Sequence, residues 1–212
     1  MAVGGVGDMM RGMKNAVPII LFGAWVVESV VLAVGPVSRA TWWAENITVW
    51  VVVTPVVWLY VKGIRFSNTA YVLMSVLVFL HTIGGHYTFA EVPFGWVTDW
   101  LGAQRNHFDR LAHFTVGFWI FPILEFVEGR GLSRNRAFSL VFGLAAILAV
   151  AALFEMVEWL YAVLADPTAG TAFLGSQGDV WDAQKDMLAD GLGAVAAGAL
   201  YHMLRPQMPN AV

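Results

Sequence analysis

Six long apolar segments dominate this sequence and restrict its fold more than any other feature. They cover about residues 17–34, 47–61, 70–83, 111–127, 137–164 and 188–204. An α-helix needs about 20 mostly apolar residues to cross a bilayer. Only 13% of the residues are charged, whereas a soluble domain carries about 25%. The sequence therefore predicts an all-α, polytopic membrane bundle with about six transmembrane helices, forming one integral membrane domain over residues 1–212.

The basic residues predict how this bundle is oriented. With six spans, both termini share one side with the connectors after the second and fourth spans. That side holds eight Lys and Arg residues, and the other side holds four. Because cytoplasmic loops carry the excess of Lys and Arg, we expect both termini in the cytoplasm. The two longest connectors, residues 84–110 and 165–181, are then predicted outside.

The first apolar segment has an alternative interpretation as a secretory signal, because basic residues precede it. Its apolar run is longer than the 7–15 residues of a signal core, and it contains Glu28. We therefore predict that it is a retained span.

The composition and the missing motifs exclude several classes of function. The chain has no cysteine, which excludes disulfides, thiolate metal ligands and cysteine nucleophiles. Its net charge of −3 gives no indication of a nucleic-acid partner. The sequence contains no H-E-x-x-H, E-x-x-H or G-x-S-x-G pattern. Zincin, ferritin-like di-iron and serine hydrolase interpretations therefore lack their motifs.

Titratable side chains from four separate segments are predicted to meet at the outer ends of spans three to six. On helices, spacings of three and four residues place side chains on one face. Residues 84–88 are expected to be strand-like or turning rather than helical. The residues that share this predicted depth are His81, His86, Asp109, His113, Glu155, Glu158, Asp179, Asp182, Asp186 and Asp190.

So many carboxylates in a small volume repel one another, and a bound divalent cation would compensate their negative charge. Carboxylate and imidazole groups are natural ligands for Zn²⁺, Mn²⁺ or Fe²⁺, whereas an all-oxygen subset would suit Ca²⁺ or Mg²⁺. The predicted metal ligands are His81, His86, Asp109, His113, Glu155, Glu158, Asp186 and Asp190. The predicted ligand-binding residues around them are Tyr87, Arg105, Arg110, Gln177, Asp179 and Gln184.

Structural explanations compete with the metal hypothesis. Arg105 and Arg110 could neutralise the carboxylates in a network of salt bridges without a metal. Asp179 and Asp182 could cap the sixth helix, since a helix N-terminus favours acidic residues. On the sixth span itself, the small residues from Gly193 to Gly198 predict close packing against a neighbouring helix.

Four motifs give the sequence a wider resemblance. They are HTIGGHY from His81, RNHFDRLAHF from Arg105, EMVEW from Glu155 and LGSQGDVWDAQKD from Leu174. Through them, nearly the whole chain resembles the YjdF-type family of bacterial inner-membrane proteins. The resemblance implies a multi-pass protein of the bacterial cytoplasmic membrane, and the family has no established activity to carry over.

A more distant similarity involves the run Asp109-Arg110-x-x-His113-Phe114, which looks like the Asp-Lys-x-x-His-Phe box of VanZ-like membrane proteins. Glu155 and the later Asp-x₃-Asp-x₃-Asp-Gly run also resemble the pattern of those proteins. VanZ itself is associated with resistance to a lipoglycopeptide antibiotic, so the similarity implies a role in the cell envelope. This sequence departs from the pattern in the segment from His81 to His86 and in the Gln177-Gly-Asp insert.

Two hypotheses of function follow from the residues. In the first, the chain is a metal-dependent hydrolase for a lipid or a small lipid-linked substrate. A metal-bound water would be its nucleophile, and Glu155, Glu158 or Asp182 would be the candidate catalytic base. In the second, the same cluster binds a structural ion, a proton or a lipid headgroup without catalysis. The expected partners are membrane lipids in both cases.

The predicted orientation can be tested with reporter fusions. Green fluorescent protein joined after Arg134 or Val212 is expected to fluoresce, because both positions are predicted to be cytoplasmic. Alkaline phosphatase joined after Ala103 is expected to be active, because it folds only outside the cytoplasm. The same phosphatase after Arg134 is the control and should be inactive. The reverse pattern would contradict the orientation.

Overall fold

Eight α-helices make up most of the described part of the chain. A computed structural model of the protein describes residues 4–100, 102–164 and 176–204. Residues 165–175 of the predicted connector 165–181 lie outside the described residues. The helices are α1 Gly4–Leu32, α2 Arg39–Val61, α3 Asn68–Tyr87, α4 Gly95–Trp100, α5 Phe108–Val116, α6 Ile120–Gly129, α7 Arg136–Leu164 and α8 Asp182–Leu204.

The helices confirm the predicted membrane bundle. Helices α2, α3, α7 and α8, and the combined stretch Phe108–Gly129, are long and apolar enough to cross a membrane, and Ala16–Leu32 of α1 is a shorter apolar helix. Large apolar side chains cover the outside of these helices: Val30, Val51 and Val141 are each about two-thirds exposed. Such surfaces are stable in lipid but not in water.

Polar residues at the helix ends belong to the helices more often than the apolar runs predict. Helix α2 begins at Arg39, eight residues before the predicted span, and the Ser38 hydroxyl caps it by accepting a hydrogen bond from the Thr41 N–H at 3.3 Å. Helix α8 begins at Asp182. Asp179 therefore precedes the helix, and of the four aspartates spaced three or four residues apart only Asp182, Asp186 and Asp190 lie on it.

The prediction of a strand-like or turning stretch at residues 84–88 was wrong, because α3 continues to Tyr87 and ends only at Thr88, whose φ of 56° is left-handed. The two glycines allow close packing instead of a turn. A Cβ on Gly85 would lie 2.8 Å from the Cβ of Glu45, and a Cβ on Gly84 would overlap the ring of Phe89.

The fourth span is interrupted where it crosses α8. A 3-10 turn at Gly117–Trp119 separates α5 from α6. A Cβ on Gly117 would overlap the backbone of α8 at Ala194, and a Cβ on Gly193 would overlap the carbonyl oxygen of Phe114. The two backbones therefore touch at this glycine pair, as small residues permit in membrane helices.

The small-residue face of α8 packs as the sequence predicts. Ala194 and Ala197 are buried in the main apolar cluster, together with Ile120, Phe121 and Leu124. Because α5, the 3-10 turn and α6 all rest on this face, α8 fixes the position of the whole fourth span.

Gly193→Ala tests the glycine crossing. The added methyl would overlap the Phe114 carbonyl, so α5 and α8 must separate, and we expect a loss of about 1–3 kcal/mol of stability. The measurement is thermal unfolding in detergent micelles. Gly191→Ala is the matched control on the same helix, because its methyl would meet only Leu148 Cδ2 at 3.4 Å. Equal unfolding temperatures for the two variants would contradict the crossing.

Candidate metal centre

A cavity of about 700 Å³ lies at one end of the bundle. It is formed by the first turns of α2, α5 and α8 and the last turns of α3 and α7, because neighbouring spans run in opposite directions. The structure thus brings together residues from four segments in which the sequence places titratable groups. The polar residues that line the cavity include Glu45, His81, Asp109, His113, Glu155, Glu158, Gln177, Asp182, Asp186 and Asp190.

The α5–α8 wall of this cavity is built around His113. Its Nδ1 lies 3.2 Å from Oδ1 of Asp190, whose side chain is fully buried. Its Nε2 lies 3.8 Å from Oδ1 of Asp109 and 3.8 Å from Oδ1 of Asp186. Asp109 and His113 share one face of α5 at i, i+4, and Asp186 and Asp190 share one face of α8 in the same way.

The buried Asp190 determines the orientation of the imidazole. A carboxylate only accepts hydrogen bonds, so His113 donates from Nδ1, and its Nε2 faces the other two carboxylates. Histidines that bind metal are held in this way by a carboxylate on the opposite nitrogen. One ligand atom from each of Asp109, His113 and Asp186 lies within 4.8 Å of the others, so these three residues could hold a metal ion.

Two arginines neutralise the aspartates near the mouth of the cavity. Arg105 Nη1 lies 2.8 Å from Asp182 Oδ1 and 3.2 Å from Asp179 Oδ2. Arg110 forms ion pairs with both Asp182 and Asp186. Asp182, one of the predicted catalytic candidates, is therefore occupied by two guanidinium groups.

Asp179 remains an anion over the physiological pH range. A hydrogen bond from Lys185 Nζ at 2.7 Å, the Trp181 N–H and the charge of Arg105 lower the pKa of this carboxyl group to about 2. By contrast, burial and the positive charges of Arg105 and Arg110 lower the pKa of His107. His107 is therefore expected to be neutral beside these arginines.

A reciprocal pair of hydrogen bonds crosses the mouth of the cavity. The Asn106 N–H donates to Gln177 Oε1 at 2.7 Å, and Gln177 Nε2 donates to the Asn106 carbonyl at 2.9 Å. The Asn106 side chain also donates to the carbonyls of Ala90 and Val92. Sequence reasoning included Gln177 among the ligand-binding residues but gave Asn106 no role.

Glu45 is a carboxylate that lines the cavity and that sequence reasoning missed. Its Oε2 lies 2.8 Å from His81 Nε2, and the ring of His81 packs against Phe89 and Phe154. The second apolar run begins at residue 47, which placed Glu45 in a connector. The signal that could have identified it is Ser38, a good N-cap residue seven positions earlier.

Of the remaining predicted site residues, some line the cavity and others lie elsewhere in the structure. Glu155 and Glu158 line the cavity from α7, and Glu155 Oε1 is buried without a hydrogen-bond partner among the described residues. His86 Nδ1 instead lies 2.8 Å from the Leu32 carbonyl at the end of α1, and its ring contacts Tyr87. Gln184 is exposed on α8. His86, Tyr87 and Gln184 do not line the cavity.

Comparison with known proteins places the chain in a family. Residues 17–207 match the family described as "Predicted membrane protein (DUF2238)". The chain is 35% identical over 196 residues to a protein named "Inner membrane protein YjdF" from Escherichia coli (strain K12), with 88% of this chain and 90% of that protein covered. No solved structure matches. The predicted location in the bacterial cytoplasmic membrane is confirmed, and the chain belongs to the DUF2238 family of membrane proteins.

Proposed function

We propose that this protein binds one divalent metal ion through Asp109, His113 and Asp186 and uses it to hydrolyse a lipid or lipid-linked envelope substrate. Asp190 would hold the imidazole from outside the set of ligands. Of the eight ligands predicted from the sequence, this proposal keeps three.

The observation that carries the proposal is the pair of 3.8 Å distances from His113 Nε2 to the two carboxylates. A hydrogen bond would bring these atoms to about 2.7–3.2 Å. A tetrahedral ion bound at about 2.0–2.2 Å separates its ligand atoms by roughly 3.4 Å. Both carboxylates are therefore too far from His113 Nε2 for a hydrogen bond and within about 0.4 Å of the spacing of two metal ligands, and all three ligand atoms lie within 4.8 Å of one another.

The surroundings suit a catalytic metal site rather than a structural one, in which protein ligands fill every coordination position. Three protein ligands leave a fourth position open, as in catalytic zinc sites, and the open side here is the cavity. A bound ion acts as a Lewis acid and makes water nucleophilic at neutral pH. Glu155 and Glu158 line the same cavity and carry no Arg or Lys partner among the described ion pairs, so either one could accept the proton from water.

The substrate class follows from the position of the cavity at the ends of membrane-spanning helices, where lipid headgroups lie. The predicted orientation puts this end outside the cytoplasm. The resemblance of the Asp109–Phe114 run to VanZ-like proteins also favours an envelope substrate.

One observation favours a second, non-catalytic function. Arg110 pairs with Asp186, which is one of the three proposed ligands, and with Asp182. The arginine could hold this wall together without a metal. The cluster would then bind a proton or a lipid headgroup.

Metal analysis tests the proposed function. Protein purified in detergent without chelator is expected to contain about one divalent ion per chain by inductively coupled plasma mass spectrometry. His113→Ala and Asp186→Asn should abolish this content. Asp190→Asn should weaken affinity about 10–100-fold, since it removes only the outer hydrogen bond.

His86→Ala and His202→Ala are the matched histidine controls, because neither residue lines the cavity, and both should retain the metal. Wild-type protein without metal would refute the proposal and leave the non-catalytic function. A stoichiometric ion that resists prolonged chelation would support a structural ion instead of a catalytic one.

A further inference from the structure

The cavity reaches the outer surface of the bundle between α2 and α7. Helix α2 packs on α3, whereas α7 packs on α6 and α8, and the described residues show no extensive contact between α2 and α7. Both helices nevertheless line the cavity. Two of the α7 lining residues, Val150 and Trp159, are 58% and 54% exposed. The gap between these two helices therefore faces the lipid.

The polarity of this gap changes with depth in the same direction as the polarity of a bilayer leaflet. Glu45 on α2 and Glu158 on α7 line the cavity near the helix ends. Val52 and Val150 line it about 10–12 Å deeper, at a rise of 1.5 Å per residue. A lipid in its ordinary orientation would place its headgroup beside the carboxylates and its acyl chain against the valines.

The charge of the cavity wall indicates the kind of headgroup. No Lys or Arg is among the described residues that line the cavity. Glu155 and Glu158 lie on one face of α7 at i, i+3, and Glu155 Oε1 is buried without a hydrogen-bond partner among the described residues. A buried carboxylate oxygen without a partner is costly, so this wall is complementary to a positively charged group.

We propose that a phospholipid with an ammonium headgroup enters the cavity from the bilayer between α2 and α7, with its ammonium group at Glu155 and Glu158 and its acyl chain along Val52 and Val150. The proposal deepens the proposed function and rests on it in naming a substrate class for the same cavity. This lipid seat, formed by Val52, Val150, Glu155 and Glu158, uses none of the three proposed metal ligands, but its two glutamates are also the candidate proton acceptors of the proposed function.

Native mass spectrometry of protein released from nanodiscs tests the lipid seat. In nanodiscs of phosphatidylethanolamine, wild-type protein is expected to retain one lipid per chain. In nanodiscs of phosphatidylglycerol, which lacks the ammonium group, retention should fall at least five-fold. Equal retention of the two lipids would overturn the proposal.

Variants test where the lipid binds. Val52→Trp combined with Ala151→Trp fills the apolar part of the cavity and should abolish retention. Val51→Trp combined with Leu153→Trp is the matched control, because Val51 and Leu153 are 66% and 59% exposed and do not line the cavity. Retention by the filled variant at the level of this control would show annular lipid only and overturn the proposal.

A second variant covers the case in which the filled protein does not fold. Glu155→Gln with Glu158→Gln changes no side-chain size and should lower phosphatidylethanolamine retention at least five-fold, whereas the exposed Glu91→Gln should not. Undiminished retention in the double variant would overturn the headgroup position.

Metal content measured on the same samples separates this proposal from the proposed function. Lipid retention without metal would support the lipid seat and refute the metal-dependent hydrolase. Bound metal with no specific lipid retention would do the opposite.

Discussion

The contact between the backbones of α5 and α8 is the constraint on which the rest of the structure depends. Gly117 and Gly193 let these helices touch, and either Cβ would force them apart. Their two i, i+4 pairs of side chains are then close enough to interact, with His113 between Asp190 and Asp186. In lipid, where the hydrophobic effect does not drive helices together, such close packing is a main source of association. The same crossing therefore holds the bundle together and assembles the candidate metal centre.

Charge compensation is the second requirement, because an ionised carboxylate inside a membrane costs several kcal/mol. Different carboxylates of the cavity are compensated by different partners. Arg105 and Arg110 neutralise the aspartates at the mouth, whereas His81 faces Glu45 and His113 faces Asp190. Buried ion pairs of this kind rarely add much net stability, but removing one partner is strongly destabilising. Among the described residues, Glu155 forms no ion pair, and its buried Oε1 has no hydrogen-bond partner, so the α7 wall of the cavity lacks this compensation.

The arrangement of helices around the cavity connects these charges to the membrane. Four of the five helices that form it are held by neighbours on more than one side, whereas α2 packs extensively on α3 alone. The proposed opening for lipid therefore lies beside the helix that packs extensively on one neighbour alone. Metal, lipid seat and protein charges would then share one cavity, with the metal on the α5–α8 wall and the lipid on the α2–α7 side.

The sequence by itself determined the membrane bundle, because long apolar runs have few other stable folds, and it determined that polar groups gather at one end, because alternating spans bring those helix ends together. It also located Asp109, His113, Asp186 and Asp190, whose spacing matches a helix face. Only the tertiary structure decided which of them meet. Spacing cannot show that Glu45 joins the cavity through an extended α2, or that His86 turns to the end of α1. Those outcomes depend on the rotation and crossing of whole helices, which are set by glycine contacts between segments far apart in the chain.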